Sequence, residues 1–371
     1  MTAGHNQPDY RLTVNGRDIN LEKRLIELRL RESRGEQADQ LDITLDDSDG
    51  HMGLPPTGAK IELELGWAGE QRVDKGSYVI DEVEHGGAPD RLQIRARSAN
   101  MGKGLRVRDS QSWDGKTLGQ IVTEIAAANG LPAQIDPQLA ARPVEHIDQT
   151  NESDLNFLTR LAKQHDAVCT VKKEHLIFLP TGSRANAGGK VLGTVHITRQ
   201  LGDQHRYHVA DRTSYDSVRV RYHNPRTAKE ESVVASIDSE GKDAQKADDD
   251  MDSHINLDVK ELKDRAGSEE EALRAASAEA QRIARGQATF SLRLALARPA
   301  LMPQATVIVT GFKKGIDGQP WLVKSVEHSL GDGGFTSQVE MELPGNGEIG
   351  AQREDDKEGG YMSPDEEEDE E

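Results

Sequence analysis

One octapeptide occurs twice in this chain with little change. It is YVIDEVEH at Tyr78–His85 and WLVKSVEH at Trp321–His328, 243 positions apart. The segments before the octets also correspond, because each alternates apolar residues and then has a glycine and an aromatic residue, Gly66-Trp67 or Gly311-Phe312. A third alternating segment follows each octet. Three strand-like segments in the same order predict a duplicated unit of about 40 residues.

The distance between the copies indicates duplicated domains. Solenoid repeats recur every 20 to 50 residues, roughly, and this spacing is far longer. A chain of 371 residues has room for two or three domains. Aromatic residues are only 4% and charged residues 30% of the chain, which predicts modest aliphatic cores and favours either thin domains with much surface or a chain that buries more surface by oligomerising.

The remaining pattern predicts a mainly β fold with an α+β insertion. Residues 1–105 alternate apolar and charged positions, as in RLIELRLRES, which predicts antiparallel strands and a first β-barrel domain. Residues 106–182 contain two segments with apolar residues at helical spacing, followed by a hairpin pattern. They are predicted to form a helix-helix-hairpin α+β insertion. The first helix is expected to be capped by Thr117 with Gln120, and the second by Asn151 or Ser153.

Strands return after the insertion. Residues 183–345 are predicted to form a second, similar β-barrel domain that contains a charged loop at 225–254 and one helix at 268–285. Ser268 and Glu271 are spaced as a capping box, and the alanine-rich face of this helix is expected to pack on the second barrel. Residues 346–371 are predicted to be a disordered acidic tail, either solubilising or interacting, since 11 acids and 2 bases follow Gly350.

Two local patterns invite a chemical function and do not support one. Asp46–Gly50 resembles part of a calcium loop, but with Gly50 at position 6 the first and last ligand positions are Leu45 and Pro56, so a turn is predicted. Cys169 lies in an apolar strand pattern, which predicts a buried, inert thiol. No glycine-rich phosphate loop is present.

The histidines give no metal or acid–base motif. His205, His208 and His223 lie in strand-like segments without an HExxH motif, so we interpret them as ordinary strand or surface residues. His85 and His328 recur with the repeat and are interpreted as strand-end residues that satisfy a turn. The sequence therefore predicts no catalytic, cofactor-binding or metal-binding residue and no cofactor.

The net charge, the cysteine count and the apolar pattern exclude some classes of partner and location. The net charge of −19 argues against binding of a phosphate backbone, which depends on clustered Lys and Arg. The single cysteine excludes an internal disulfide, and no run of 18 apolar residues predicts a membrane segment. The chain is expected in a cytosol unless a larger assembly carries it out.

Five segments between about residues 40 and 343 resemble the phage late control protein D family, the tail hub of contractile-tailed phages. This family is related to the amino-terminal part of type VI secretion spike proteins. The most specific of the matching segments is DQTNESDLNFLTRLA. The others are LDITLDDSDGHMGLPPTGAKIELELGW, YVIDEVEHGGAPDRLQIRARSANM, LGQIVTEIAAANGL and GQPWLVKSVEHSLGDGGFTSQVEMEL.

The resemblance implies a structural protein of a contractile phage tail or of a phage-derived injection device, and not an enzyme. It implies a homotrimer in which each subunit supplies two tail-tube-like barrels, and six barrels form a pseudo-sixfold ring between the hexameric tail tube and the trimeric tail spike. DNA passes through the lumen, and a net-negative wall is expected to reduce sticking. The expected location is the tail baseplate of a virion assembled in the host bacterial cytoplasm, with contacts to the tape measure protein and other baseplate proteins.

A cell-wall protein is the alternative. In that hypothesis the α+β insertion binds glycan, or the chain degrades peptidoglycan at a tail tip. Three tryptophans offer few stacking platforms for sugars, and no pair of carboxylates can be selected as acid and base.

Overall fold

The computed structural model of the chain describes residues 7–21, 23–35, 38–98, 104–183, 193–209, 215–224, 227–237, 245–246, 258–263 and 265–345. The fold is mainly β, as predicted, and four α-helices occur in these residues. The predicted acidic tail and residues 225–226, 238–244 and 247–254 of the predicted charged loop lie outside the described residues, and the described part of that loop contains a strand at Lys229–Ser236.

The amino-terminal segment consists of strands whose side chains alternate between a buried and an exposed face, as the period-two pattern predicted. The strands are β1 (Pro8–Val14), β2 (Arg17–Asp18), β3 (Leu25–Ser33), β4 (Gln40–Asp46), β5 (Lys60–Trp67), β6 (Val73–Gly86) and β7 (Arg91–Ser98). Three strands of the first copy of the repeat, β3 to β5, precede the strand that contains the octet, β6, and one, β7, follows it.

The insertion contains both predicted helices and the predicted hairpin. Thr117 and Gln120 form the predicted capping box, and Ser153 caps the second long helix. The structure adds a two-stranded ribbon, β8 with β10, where a connector was expected. The elements are β8 (Arg108–Thr117), α1 (Leu118–Ala128), β9 (Ala133–Ile135), α2 (Pro137–Ala140), β10 (Pro143–Ser153), α3 (Asp154–Gln164), β11 (Ala167–Lys172) and β12 (His175–Pro180).

The carboxy-terminal segment contains the second copy of the repeat, interrupted by a smaller α+β unit. The strands on either side of that unit are β13 (Val195–Thr198), β14 (Gly202–Val209), β19 (Ala288–Leu294), β20 (Thr306–Thr310), β21 (Pro320–Gly331) and β22 (Gly334–Glu342). The unit consists of β15 (Ser217–Asn224), β16 (Lys229–Ser236), β17 (Gln245–Lys246), β18 (Val259–Glu261) and α4 (Glu269–Gly286).

The prediction of two closed barrels is wrong in this chain. The described strands of both repeats join one open, 13-stranded sheet in the order β14-β19-β22-β21-β3-β4-β7-β6-β5-β1-β2, with β20 and β13 beside β21. Neither repeat closes on itself because β3, the edge strand of the first repeat, pairs with β21 of the second. The domain boundaries given above stay predictions.

Helix α4 packs on a sheet within residues 183–345, the predicted second domain, but this is a separate four-stranded sheet and not the open 13-stranded sheet of the repeats. Its alanines, among them Ala272 and Ala276, share a core with Val218, Val220 and Val233 of the four-stranded sheet β17-β16-β15-β18. Small side chains allow a helix to lie close to a sheet, and a neighbouring sheet meets this requirement as well as a barrel does. No helix in the described part of the chain is long and apolar enough to cross a membrane.

Candidate assembly surface

The two copies of the repeat have the same strand order. Across the sheet this order is β3-β4-β7-β6-β5 in the first copy and β14-β19-β22-β21-β20 in the second. The octets lie in β6 and β21, and both strands have a register irregularity after the third residue of the octet. That third residue also makes the same backbone hydrogen bond in both copies, from Ile80 to Ala59 and from Val323 to Ala305. The predicted duplication is therefore present in three dimensions.

After its irregularity, β21 leaves β20 and pairs with β3 of the other repeat. The pairing is antiparallel and runs from Ser325 opposite Ser33 to Gly331 opposite Glu27. Gly331 has no room for a side chain, because a Cβ atom would lie 2.7 Å from the carbonyl oxygen of Ile26. We call this pairing the internal junction; it joins the two repeats into one sheet.

A buried ionic cluster lies beneath the internal junction. Lys75 Nζ is 2.6 Å from Glu32 Oε2 and donates a second hydrogen bond, 2.9 Å long, to the carbonyl of Pro299. His328 is fully buried next to Glu32, and its Nδ1 lies 2.8 Å from the Ser337 hydroxyl. Residues from both repeats therefore share one set of charges.

Burial and the neighbouring charges in this cluster shift the pKa values of Glu32 and His328. Burial would raise the pKa of Glu32, but the charge of Lys75, together with the adjacent His328, outweighs it and holds the pKa well below its ordinary value. Burial, aided by the positive charge of Lys75, lowers the pKa of His328. Glu32 is thus ionised and His328 neutral at neutral pH.

Other ion pairs attach the insertion and α4 to this sheet. Lys172 of β11 contacts Asp39 at 3.1 Å. Arg285 at the end of α4 contacts Asp166, which follows α3, with one nitrogen–oxygen distance of 2.8 Å, and lies 3.4 Å from Glu342 of β22. These pairs are largely buried, so removal of one partner leaves an uncompensated charge.

By the order of strands in the repeats, β6 corresponds to β21 and β14 corresponds to β3, the two strands of the internal junction. β14 and β6 lie at the two ends of the eight strands β14-β19-β22-β21-β3-β4-β7-β6. Among the described residues, β6 from Glu82 onward pairs only with β7, and β14 pairs only with β19. The β6 edge exposes Glu82 and Glu84, whereas the β14 edge exposes Arg206 and His208. An unpaired edge is a ready template for another strand.

One face of the eight strands from β14 to β6 is polar. Several of its arginines are paired locally: Arg95 lies 3.2 Å from Asp42 and 2.6 Å from Glu82, and Arg29 lies 2.7 Å from Glu27. The opposite face contributes to the two apolar cores. The polar face thus combines both signs of charge instead of a uniform negative field.

The histidines of the octets and the calcium-loop candidate of the sequence analysis make structural contacts. His85 Nε2 lies 3.1 Å from Asp47, whose carboxylate also accepts the Met52 N–H, so His85 does satisfy a turn. His328 differs, because it contacts the other repeat. The Asp46–Gly50 segment is a turn in which Arg24 binds Asp49.

The remaining candidates are spread over several strands. His205 packs on Phe312 with ring centroids 5.1 Å apart, His208 lies on the β14 edge, and His223 is on β15. Cys169 is buried, which raises the pKa of its thiol to about 12. In the described part of the chain, no three His, Cys, Asp or Glu residues are grouped as metal ligands.

The ionic cluster was not predicted from the sequence. A signal existed, since Glu32 continues the inward-facing series Leu28 and Leu30 on β3. A carboxylate in an apolar series requires a buried partner. The partner, Lys75, lies 43 positions away on another strand, so local spacing does not identify it.

Solved structures show which class of protein has this fold. The 43 kDa tail protein of prophage MuSo2 from Shewanella oneidensis superposes with a TM-score of 0.67 at 14% identity, over 91% of this chain and 99% of that chain. The tail protein from Neisseria meningitidis MC58 gives 0.67 at 12% identity, over 91% and 96%. A type VI secretion component of E. coli, c3393, gives 0.51 at 15% identity, over 89% and 76%. The fold is that of phage tail proteins.

Sequence comparison identifies the family. The model of the phage tail baseplate hub (GPD) family matches residues 26–334, and the chain belongs to this family. It is 39% identical over 361 residues to the "Probable baseplate hub protein" of Escherichia phage 186, covering 91% of this chain and 93% of the relative. The corresponding protein of phage P2 is 37% identical over 365 residues, with the same coverage. The predicted resemblance is confirmed.

Proposed function

We propose that this protein is the structural hub of a contractile phage tail, a homotrimer that joins the hexameric tail tube to the trimeric spike. Membership of the baseplate hub family supports the place in the tail. The duplicated repeat carries the argument for the assembly. A chain with two similar units presents six of them in a trimer, which matches sixfold symmetry on one side and threefold symmetry on the other.

The polar face of the eight strands from β14 to β6 is the proposed lumen wall. It is the exposed face, whereas the other face packs in the cores. Pairs such as Arg95 with Asp42 and Glu82 reduce the net field close to the surface, so these arginines attract a passing phosphate backbone less strongly than free cations would. This wall of paired charges replaces the net-negative wall expected from composition.

The proposed partners follow from this position. They are two further copies of the chain, the tail tube, the spike, the tape measure protein and other baseplate proteins. The role is mechanical, with no catalysis, cofactor or sequence-specific nucleic-acid binding. The protein acts in the virion after assembly in the host cytoplasm.

The test is the solution mass of the purified protein with and without its candidate spike partner, measured by light scattering. A trimer of about three times 40.7 kDa, alone or on addition of the spike, is expected. A persistent monomer that ignores the spike would overturn the proposal. Binding to purified peptidoglycan sacculi, or their lysis, by that monomer would instead favour the cell-wall hypothesis.

A further inference from the structure

Arg142, directly before β10, is a partly buried cation with an unusual neighbour. Its Nη1 lies 3.2 Å from Nδ1 of His165, at the end of α3. Burial lowers the pKa of His165 to about 4, so the imidazole is neutral and accepts the N–H of Arg142. Among the residues that the structure describes, no carboxylate forms an ion pair with Arg142. A neutral acceptor satisfies one donor of the guanidinium and leaves its charge unbalanced.

Arg142 differs in this respect from other partly buried arginines of the chain. Arg160 Nη2 lies 2.9 Å from Glu152 Oε2. Arg285 Nη1 lies 2.8 Å from Asp166 Oδ2. A charge that has lost part of its hydration is stabilised by an opposite charge close to it, and both of these arginines have one. Arg142 lacks this compensation and is therefore suited to bind an anion.

A second arginine adds positive charge at the same place. Burial and then the charge of Arg274, on α4, lower the pKa of Arg142, and burial with both arginines lowers that of His165. The ion-pair partner of Arg274 is Glu270, 2.8 Å away and one turn earlier on the surface of the helix. The charge of Asp136 acts on Arg142 in the opposite direction, but its carboxylate accepts backbone N–H groups of α2. We call Arg142 and Arg274 the arginine pair.

We propose that the arginine pair binds carboxylates of the predicted acidic tail, residues 346–371, of the same chain. Arginine binds a carboxylate through two parallel N–H donors, so both side chains are suited to this ligand. The residues after Gly350 include 11 acids and 2 bases and account for −9 of the net charge of −19, which leaves −10 on residues 1–350. Since both parts are acidic, overall attraction cannot hold the tail, and a local positive site is required.

The described chain ends within reach of the arginine pair. The N–H of Leu343 donates to the carbonyl of Arg285 at 3.3 Å, and Gly345 lies against the Arg285 side chain. Arg274 lies eleven residues before Arg285 on α4, which is three turns and roughly 16 Å along the same face. An extended chain covers that distance in about five residues, and the first acids after Gly350 are at 354–356, nine to eleven residues beyond Gly345. The tail can therefore reach the site from its own chain.

This contact would connect the insertion to the α4 unit. Arg142 belongs to the insertion and Arg274 to α4, and a carboxylate between them would balance both charges, as Glu152 balances Arg160. It would add to the pair of Arg285 with the insertion. Because the attraction is between charges at the surface, added salt should weaken it.

Zero-length cross-linking tests the contact in the full-length protein. The variant Arg142→Lys keeps the charge and supplies an amine that a carbodiimide joins to a carboxylate in contact with it. Mass spectrometry should find this amine joined to an acid of residues 354–371, in chains that run as monomers on a denaturing gel. Arg160→Lys is the matched control and should couple to Glu152 and not to the tail.

Two results of the cross-linking would overturn the proposal. One is coupling in the control while the amine at position 142 does not reach the tail. The other is coupling to the tail only in cross-linked dimers, which would place the tail on another copy of the chain.

Trypsin gives a second readout, because the two bases of the tail are cleavage sites at positions 353 and 357. Arg142→Gln/Arg274→Gln should raise the cleavage rate there at low salt by roughly fivefold or more, since the protease acts on the undocked tail. Arg11→Gln/Arg95→Gln removes the same charge from exposed pairs and should leave the rate unchanged. Circular dichroism checks that each variant is folded. Equal rates in the two double variants would overturn the proposal.

Discussion

The same octet has two different neighbours in this molecule. In the second repeat WLVKSVEH lies in β21, and its last residues are covered by β3 of the first repeat. In the first repeat YVIDEVEH lies in β6, and the corresponding side of the strand has no partner in the described chain. The difference shows that each repeat ends its strand pairing at the octet strand, and that a strand of the same chain covers this edge in only one of the two copies.

The histidine at the end of each octet has a different environment in the two copies. His328 is fully buried against Glu32 of the other repeat, whereas His85 is partly exposed and bonds Asp47 within its own repeat. Similar sequence therefore has separate roles, one in a junction and one at an edge. Four sets of substitutions, in order of expected effect, test this difference.

The largest effect should come from the buried pair under the internal junction. Lys75→Met leaves Glu32 without its 2.6 Å partner and should reduce the free energy of unfolding by about 3–5 kcal/mol. Urea denaturation monitored by circular dichroism measures the loss. The double variant Lys75→Met/Glu32→Leu should recover most of it, since no unpaired charge remains. A single variant as stable as the unmodified protein would show that the cluster does not hold the repeats together.

The corresponding residues of β3 and β14 should differ in the kind of effect they have. Leu30→Ala removes a fully buried side chain and should cost about 2–4 kcal/mol of unfolding free energy. Tyr207→Ala, at the equivalent position on the open edge, should cost about 1 kcal/mol or less in the monomer, because the side chain is partly exposed. Light scattering should show weakened assembly only for Tyr207→Ala at concentrations where both variants are folded. Equal costs in the monomer would contradict the distinction between a covered and an open edge.

The pH dependence should come from the covered histidine. Burial lowers the pKa of His328 among Glu32, Lys75 and Ser337, so the unfolded chain binds a proton below about pH 6.5 that the folded chain does not. Stability should therefore fall as pH drops through this range, by up to about 1.4 kcal/mol per pH unit from this group. His328→Gln should remove that part of the slope in urea titrations between pH 7 and 5. His85→Gln is the matched variant, and an equal loss of slope in both would contradict a role for burial at the junction.

Local features of this fold were predictable and long-range ones were not. The duplicated strands, the Thr117–Gln120 capping box and the Ser153 cap depend on residues a few positions apart, and the structure has all of them. Closed barrels were expected because strands that alternate in this way commonly close on themselves. The sequence contains no local signal that β3 pairs with β21, since the pairing residues are about 300 positions apart.

The smallest effect should separate stability from assembly. Glu327→Arg places like charges beside Arg29 at an exposed site of the internal junction, where the pair is 3.5 Å apart, and should cost only about 0.5–1 kcal/mol in urea unfolding. Glu84 has no charged partner among the described residues, so after the same change there the stability of the monomer should stay within about 0.5 kcal/mol of the unmodified protein. Because covalent connection keeps β3 next to β21, Glu327→Arg should still assemble. A loss of assembly in Glu327→Arg, at concentrations where it is folded, would mean that the octet of β21 also faces another copy, and the distinction between internal and external edges would fail.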